Sequence, residues 1–350
     1  MAEILGLGIT HQPPLATEPV KPLSLRLTLQ DPGLPEALRT PDGWPENMRR
    51  EWGTDEGAAH AREHRAAIVA ALREARAVLD EFRPDVIVVW GDDQYENFRE
   101  DVIPAFCILA YDRVVFAPWE NGPPANHWDE PKDKSFVVDG HQAAAKYLAG
   151  RLLSDGFDVA YAYRPLHVPL GHAFRNSVLY LDWDRTGFPY SLIPFSVNCY
   201  GRHIIERKGY LANMLSTPSE EELDPPSPTP RRCFDLGAAC ARAFRDSPWR
   251  VALVASSSWS HAFLTQKNHY LYPDHAADQE LYRALIAGDF DVWRERTLEE
   301  VEASGQQELL NWFCLVGAMA ELGRRPEVAA YFESSVMNSN KVIATFWRDA

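Results

Sequence analysis

The sequence predicts an α/β protein with a mainly parallel central sheet flanked by helices on both faces. Two patterns point to it. Short apolar runs with no polar face recur at 4–9, 86–90, 192–197 and 251–255, as expected of strands covered on both sides. Segments of helical periodicity alternate with these runs, which implies crossover connections and a parallel sheet. A third observation sets the scale. The chain has 350 residues, 46% hydrophobic and 24% charged, ordinary globular composition in which one large domain can bury a substantial core. We read residues 1–350 as a single domain.

The elements follow in order. The run 4–9 reads as a buried strand, closed by Thr10-His11-Gln12-Pro13-Pro14. From 16 to 57 the chain is rich in proline and polar residues without sustained periodicity, so it reads as an excursion carrying short helices. Between 59 and 81, Ile68, Ala71, Leu72, Ala75, Val78 and Leu79 recur at helical spacing, and Pro84 stops the helix. The strand at 86–90 runs into Gly91-Asp92-Asp93-Gln94. Strands are expected at 105–110 and 114–116, a loop at 118–134, a helix at 140–155, and strands at 158–163 and 192–197. The proline-rich, acidic stretch 218–232 reads as a surface loop. A helix at 234–245 precedes the strand at 251–255. Beyond about 276 the pattern is helical, ending in a weaker strand near 342–346.

Thirty-five basic against fifty acidic residues give a net charge of −15, which argues against a nucleic-acid or anionic-membrane surface. The longest apolar stretch, 313–320, falls short of the roughly 20 residues needed to span a bilayer. The first residues lack the basic region of a signal peptide, so a cytoplasmic protein is expected. Cys107, Cys199, Cys233, Cys240 and Cys314 form no C-x-x-C pair, and reduced, buried thiols are expected. A homodimer is the default expectation for the assembly.

Ligands of open α/β sheets bind beyond the carboxyl ends of the strands. That rule collects His11, the Asp92-Asp93-Gln94 segment, His172, and Ser256-Ser257-Ser258-Trp259-Ser260-His261. A lone strand-end histidine is usually structural; three at one rim suggest more. Glu308 opens an apolar helix, where an acid alone reads as a helix-dipole partner. With two histidines it completes the kind of set that holds Fe(II) with open positions. His60 and His64, at i and i+4, could chelate a metal, but a solvated helix face explains them better. Serines 256–258 read as turn and cap residues.

The ordered segments Gly8-Ile9-Thr10-His11, 84–98 (ending Gly-Asp-Asp-Gln-Tyr-Glu-Asn-Phe), Gly171-His172-Ala173-Phe174, 193–198, Trp259-Ser260-His261 and Glu308-Leu309-Leu310-Asn311-Trp312 resemble the class III extradiol ring-cleavage dioxygenases. These are relatives of the catalytic subunit of protocatechuate 4,5-dioxygenase. The resemblance spans nearly the whole chain apart from 16–57 and 218–232. It implies a non-haem Fe(II) enzyme that opens a catechol or related phenol with O2. On that pattern His11 and Glu308 are metal ligands, His261 is the general base, and His172 donates a proton during ring opening.

One position departs from the pattern. The family carries Asp-His after the second strand, whereas this chain carries Asp93-Gln94. Three accounts stand. Gln94 ligates through its neutral oxygen; Asp92, His60, His64 or His127 replaces it; or the metal site is weak or lost. The last account would make the chain a ligand- or partner-binding protein of this fold, and a Zn²⁺ hydrolase is a further alternative. The loop holding Trp119, His127 and Trp128 is expected to act as a lid suited to an aromatic ring.

Overall fold

The computed structural model describes residues 2–123, 125–202 and 223–347. Ten strands appear in chain order: β1 (Ile4–Ile9), β2 (Val86–Asp92), β3 (Phe106–Leu109), β4 (Arg113–Phe116), β5 (Phe136–Asp139), β6 (Ala160–Ala162), β7 (Ser191–Val197), β8 (Val251–Ser256), β9 (Val328–Phe332) and β10 (Lys341–Phe346). Eight of them form one sheet in the order β6-β3-β7-β2-β8-β1-β10-β9. Its centre, β7-β2-β8-β1, is parallel throughout. The flanks mix in antiparallel pairs, β3 on β7 and β10 on β1. Every residue of β1, β2 and β8 is buried, the physical reason these strands show no alternation in sequence.

One face of the sheet is covered by helices Gln142–Ser154, Pro230–Arg245 and Leu310–Glu321, packing on Val86, Val88, Trp90 and Leu253. The other is covered by Ala58–Phe82 and His172–Leu181, packing on Leu5, Leu7, Ile87 and Val89. The 16–57 excursion has its own small core. There Val20, Leu25, Trp44 and Met48 pack on Ala61, Leu271, Val336 and Met337, which seats it beside the carboxyl ends of the central strands.

Several local expectations need correcting. The run at 114–116 is a strand, but it pairs with β5 in a separate two-stranded ribbon. β5 and β9 were not foreseen: β5 is short and partly exposed, and β9 falls in the stretch beyond 276 expected to be helical. The helix expected at 234–245 begins at Pro230, with Thr229 as its cap accepting a hydrogen bond from the Arg232 amide. Proline fits a first helical turn, so this part of the expected 218–232 loop is helix; residues 218–222 lie outside those described. The five cysteines are buried and unpaired, as expected. No described helix is long and apolar enough to cross a membrane.

Candidate metal centre and active site

The central parallel strands bring three chain segments side by side at one rim. β2 ends in Asp92, β8 ends in Ser256 beside Ile9, and His11 follows β1 two residues later. The small Ser256, Ser257 and Ser258 leave room above β8 for the flanking side chains to converge. Glu308 arrives from a short turn, Gln307–Leu309, that leads into helix Leu310–Glu321. That helix lies close on β1 because position 8 is glycine: a Cβ there would sit 2.0 Å from the Trp312 ring.

His11 Nδ1 donates to the Ser256 carbonyl at 2.9 Å. The bond fixes the ring and leaves Nε2 with its lone pair bare, the arrangement of a metal-ligating imidazole. Nε2 lies 3.4 Å from Asp92 Oδ1 and 3.8 Å from Glu308 Oε2. His11, Asp92 and His172 each offer a ligand atom, all within 4.8 Å of one another. Both Asp92 oxygens and Glu308 Oε2 are buried without a hydrogen-bond donor, while Glu308 Oε1 accepts the Tyr200 hydroxyl. Burial pushes Asp92 up to about 7, and burial followed by the Asp92 charge raises Glu308 well above the ordinary carboxylate range. Burial, then the neighbouring His172 charge, holds His11 well below the usual histidine value. Buried carboxyl groups without donors beside a neutral imidazole form an environment that a divalent cation relieves. The residues present therefore fit a metal ion.

Two further histidines complete the rim. His261 Nε2 lies 3.2 Å from Glu308 Oε1, and its backbone is tied to Gly305 and Ser339. Burial, with a smaller contribution from the Lys341 charge, lowers its pKa to about 3, so it stands as a neutral imidazole. His172 opens helix His172–Leu181. Its Nδ1 meets Glu96 Oε2 at 2.5 Å, and the same oxygen accepts its backbone amide at 2.8 Å. Burial alone would depress this histidine, but the Glu96 carboxylate overrides it and raises the pKa to about 9. Asp93 builds the turn that presents Glu96, accepting the amides of Glu96 and Asn97 at 2.9 and 2.8 Å.

These groups open on a cavity of about 200 Å³ lined by His11, Gln12, Gln94, His172, His261 and Glu308, with Ser24, Ser258, Phe263 and Asn338 also on its wall. All five expected site residues, His11, Gln94, His172, His261 and Glu308, thus share one cavity. The other candidates for the missing ligand divide. Asp92 stands beside His11. His60 and His64 do not line the cavity, and the solvated helix face expected for them is incorrect: His64 is buried against Lys341, and His60 faces Glu51 and Ser334. His127 stacks by Trp183 and faces Glu18. Trp119 and Trp128 pack into the core below the β4–β5 ribbon and do not line the cavity, so the lid expectation is not met; the excursion contributes Ser24 instead. Sequence reasoning missed Tyr200, Glu96 and Gln12. Glu96 carried a faint signal, lying in the same strand-end polar run as Asp92.

A histidine–carboxylate cluster at the carboxyl rim of a mainly parallel sheet defines the class: an α/β protein with a candidate metal centre at its strand ends. The chain is similar to the class III extradiol ring-cleavage dioxygenases, enzymes that open an aromatic ring with O2. Residues 223–342 match the family described as the catalytic LigB subunit of aromatic ring-opening dioxygenase, a span that holds His261 and Glu308. The chain is 26% identical over 313 residues to a 2,3-dihydroxyphenylpropionate/2,3-dihydroxicinnamic acid 1,2-dioxygenase of Rhodococcus sp, covering 81% of this chain and 86% of that one. A protein of the same description from Rhodococcus jostii is 26% identical, covering 80% and 85%. A gallate dioxygenase of Pseudomonas putida is 25% identical over 60% of this chain and 54% of its own length.

Proposed function

We propose that the chain is a non-haem Fe(II)-dependent extradiol dioxygenase acting on a catechol or a related phenol. The observation that carries this reading is the pair of buried carboxylates, Asp92 and Glu308, with three donor-less oxygens gathered around His11 Nε2. The ion would be held by His11, Asp92 and Glu308, with Gln94 offering a neutral oxygen from the cavity wall. One imidazole with carboxylate oxygens suits Fe(II) or Mn(II) better than a softer ion. Asp92 thereby takes up the role that glutamine at 94 leaves vacant.

Bound there, the metal would supply a template and Lewis acid for two adjacent ring oxygens and for O2. The chain's own groups would do the rest. His261, neutral and beside Glu308, would accept the proton of a ring hydroxyl at its imidazole nitrogen. His172, oriented through Nδ1 by Glu96, would keep its other nitrogen toward the cavity and return a proton as the ring opens. Tyr200 would hold Glu308 in place through its hydroxyl. The apolar bodies of Pro13, Pro14 and Phe263 would receive the ring and displace water.

The test begins with metal content. Anaerobically reconstituted protein is expected to retain near-stoichiometric iron, and Asp92→Asn and Glu308→Ala to lose most of it. His261→Ala is expected to keep its iron while O2 uptake with catechols falls by roughly 10²–10⁴. Equal iron in the unaltered protein and both carboxylate variants would remove the ligand assignment.

A further inference from the structure

The cavity wall carries a signal about what substrate it accepts, resting on the dioxygenase reading above. Gln12 is 4% exposed and lines the cavity next to His11. Its backbone carbonyl accepts the Tyr180 hydroxyl at 2.8 Å, which fixes the residue against helix His172–Leu181. Its side-chain amide is oriented by a second bond, Nε2 donating to the Met337 carbonyl at 2.8 Å. A carbonyl accepts only, so this contact determines which end of the amide is nitrogen. The other end, Oε1, is buried with no partner. A buried amide oxygen without a donor is costly, on the order of 1–3 kcal/mol, and a donor arriving with a ligand recovers that cost.

The surroundings favour the same chemistry. Asn338, held at φ 67° with its backbone carbonyl accepting the Ala262 amide at 2.6 Å, adds a second amide whose Oδ1 is buried and without a donor. None of the described residues lining the cavity is lysine or arginine. His172 Nδ1 is already paired with Glu96 Oε2. A carboxylate on the ring would enter without a free cationic partner, against acceptors that offer it nothing.

We propose that this cavity selects catechols whose ring substituent donates a hydrogen bond, a hydroxyl, amine or amide N–H received by Gln12 Oε1, over catechols bearing a carboxylate. The selection thus separates this chain from relatives whose names specify carboxylate-bearing substrates.

The test uses the iron-loaded, full-length protein with four probes: catechol, hydroxymethylcatechol, aminomethylcatechol and dihydroxybenzoate, the substituted rings in both positional isomers. Dissociation constants come from anaerobic calorimetry, and kcat/KM from O2 uptake. At least one donor-bearing ring is expected to bind roughly five- to tenfold tighter than catechol, the effect of one hydrogen bond, with dihydroxybenzoate weaker than catechol. Gln12→Met, which keeps the side-chain length and removes both amide atoms, is expected to collapse the donor-to-catechol ratio toward one. The ranking in the unaltered protein decides even if that variant folds poorly. Catechol turnover with no donor preference, or with dihydroxybenzoate bound tightest, overturns this inference and leaves the dioxygenase reading standing. Failure of iron-loaded protein to bind any of the four probes overturns both.

Discussion

Asp92 and Asp278 are the same residue under the same burial, both 0% exposed, and burial lifts each to about 7. They differ in company. Asp278 accepts the Ser260 amide on both oxygens at 3.1 and 2.9 Å, the Gln306 side-chain amide at 2.7 Å and that of Asn340 at 2.8 Å. Asp92 accepts from no donor, and the polar atom set against it is the bare Nε2 of His11. The comparison teaches how to tell a carboxylate that holds a fold from one that holds a ligand. The first has its lone pairs spent within the chain. The second keeps them open, and the fold tolerates this only because something else is bound there or the proton stays on.

The largest expected effect breaks the comparison at its structural end. Asp278→Ala strands three donors in the core, and unpaired buried donors cost about 1–3 kcal/mol each. A loss of about 3–5 kcal/mol is expected in urea unfolding with chelator present. Asp92→Asn under the same conditions is expected to stay within about 1 kcal/mol of the unaltered protein, because no donor is stranded. Equal losses in the two variants would mean that the open carboxylate is structural after all.

The next effect sharpens the ligand end. A metal that binds only the folded chain adds about 2.7 kcal/mol at a hundredfold excess over its Kd. Thermal unfolding with Fe(II) or Mn(II), against chelator, should show that gain in the unaltered protein. It should vanish in Asp92→Asn and Glu308→Ala but persist in Asp278 variants that still fold. A metal-dependent shift of the same size in Asp92→Asn would transfer the ligand role to Gln94 and His172.

The same contrast explains what could be read from sequence. His11, Asp92 and His261 were legible because each follows a central strand with no polar face, and such strands deliver their next residues to one rim. Glu308 was legible from its position before an apolar helix, though its convergence on the rim depends on a helix packed tightly over Gly8. Tyr200 and Glu308 are 108 positions apart and Gln12 and Met337 are 325 apart; no local pattern links such pairs. Asp92 was one of four side chains that could replace the missing histidine, and only the sheet register, which sets it beside His11, separates it from His60, His64 and His127. β9 escaped because Val328-Ala-Ala-Tyr-Phe332 lies in a stretch whose pattern reads as helical, and β5 because it is a four-residue strand that pairs only with β4, outside the central sheet. Lys341 defied its type: a lysine is expected at the surface, yet it is fully buried.

That lysine gives a second comparison with Asp92, a buried amine whose nitrogen is satisfied by carbonyls. Its Nζ donates to the Met337 carbonyl at 3.3 Å and to that of Ser339, and meets His64 Nε2 at 3.3 Å. Met337 is the carbonyl that also holds Gln12, so Lys341 fastens the loop that forms one cavity wall. Burial lowers its pKa from 10.5 to about 7, with Glu51 opposing weakly, while burial and then the Lys341 charge keep His64 well below the usual range. The sign follows by linkage. The unfolded chain binds this proton up to about pH 10.5 and the folded chain releases it near 7, so between those values the unfolded state holds more protons. Stability contributed by this group therefore rises with pH across that window, by at most about 1.4 kcal/mol per unit. Urea unfolding of the unaltered protein and Lys341→Met from pH 7.5 to 9.5 isolates the contribution as the difference between the two slopes. A difference of zero would mean that the three acceptors keep the ammonium charged throughout, and that burial costs this side chain far less than it costs Asp92.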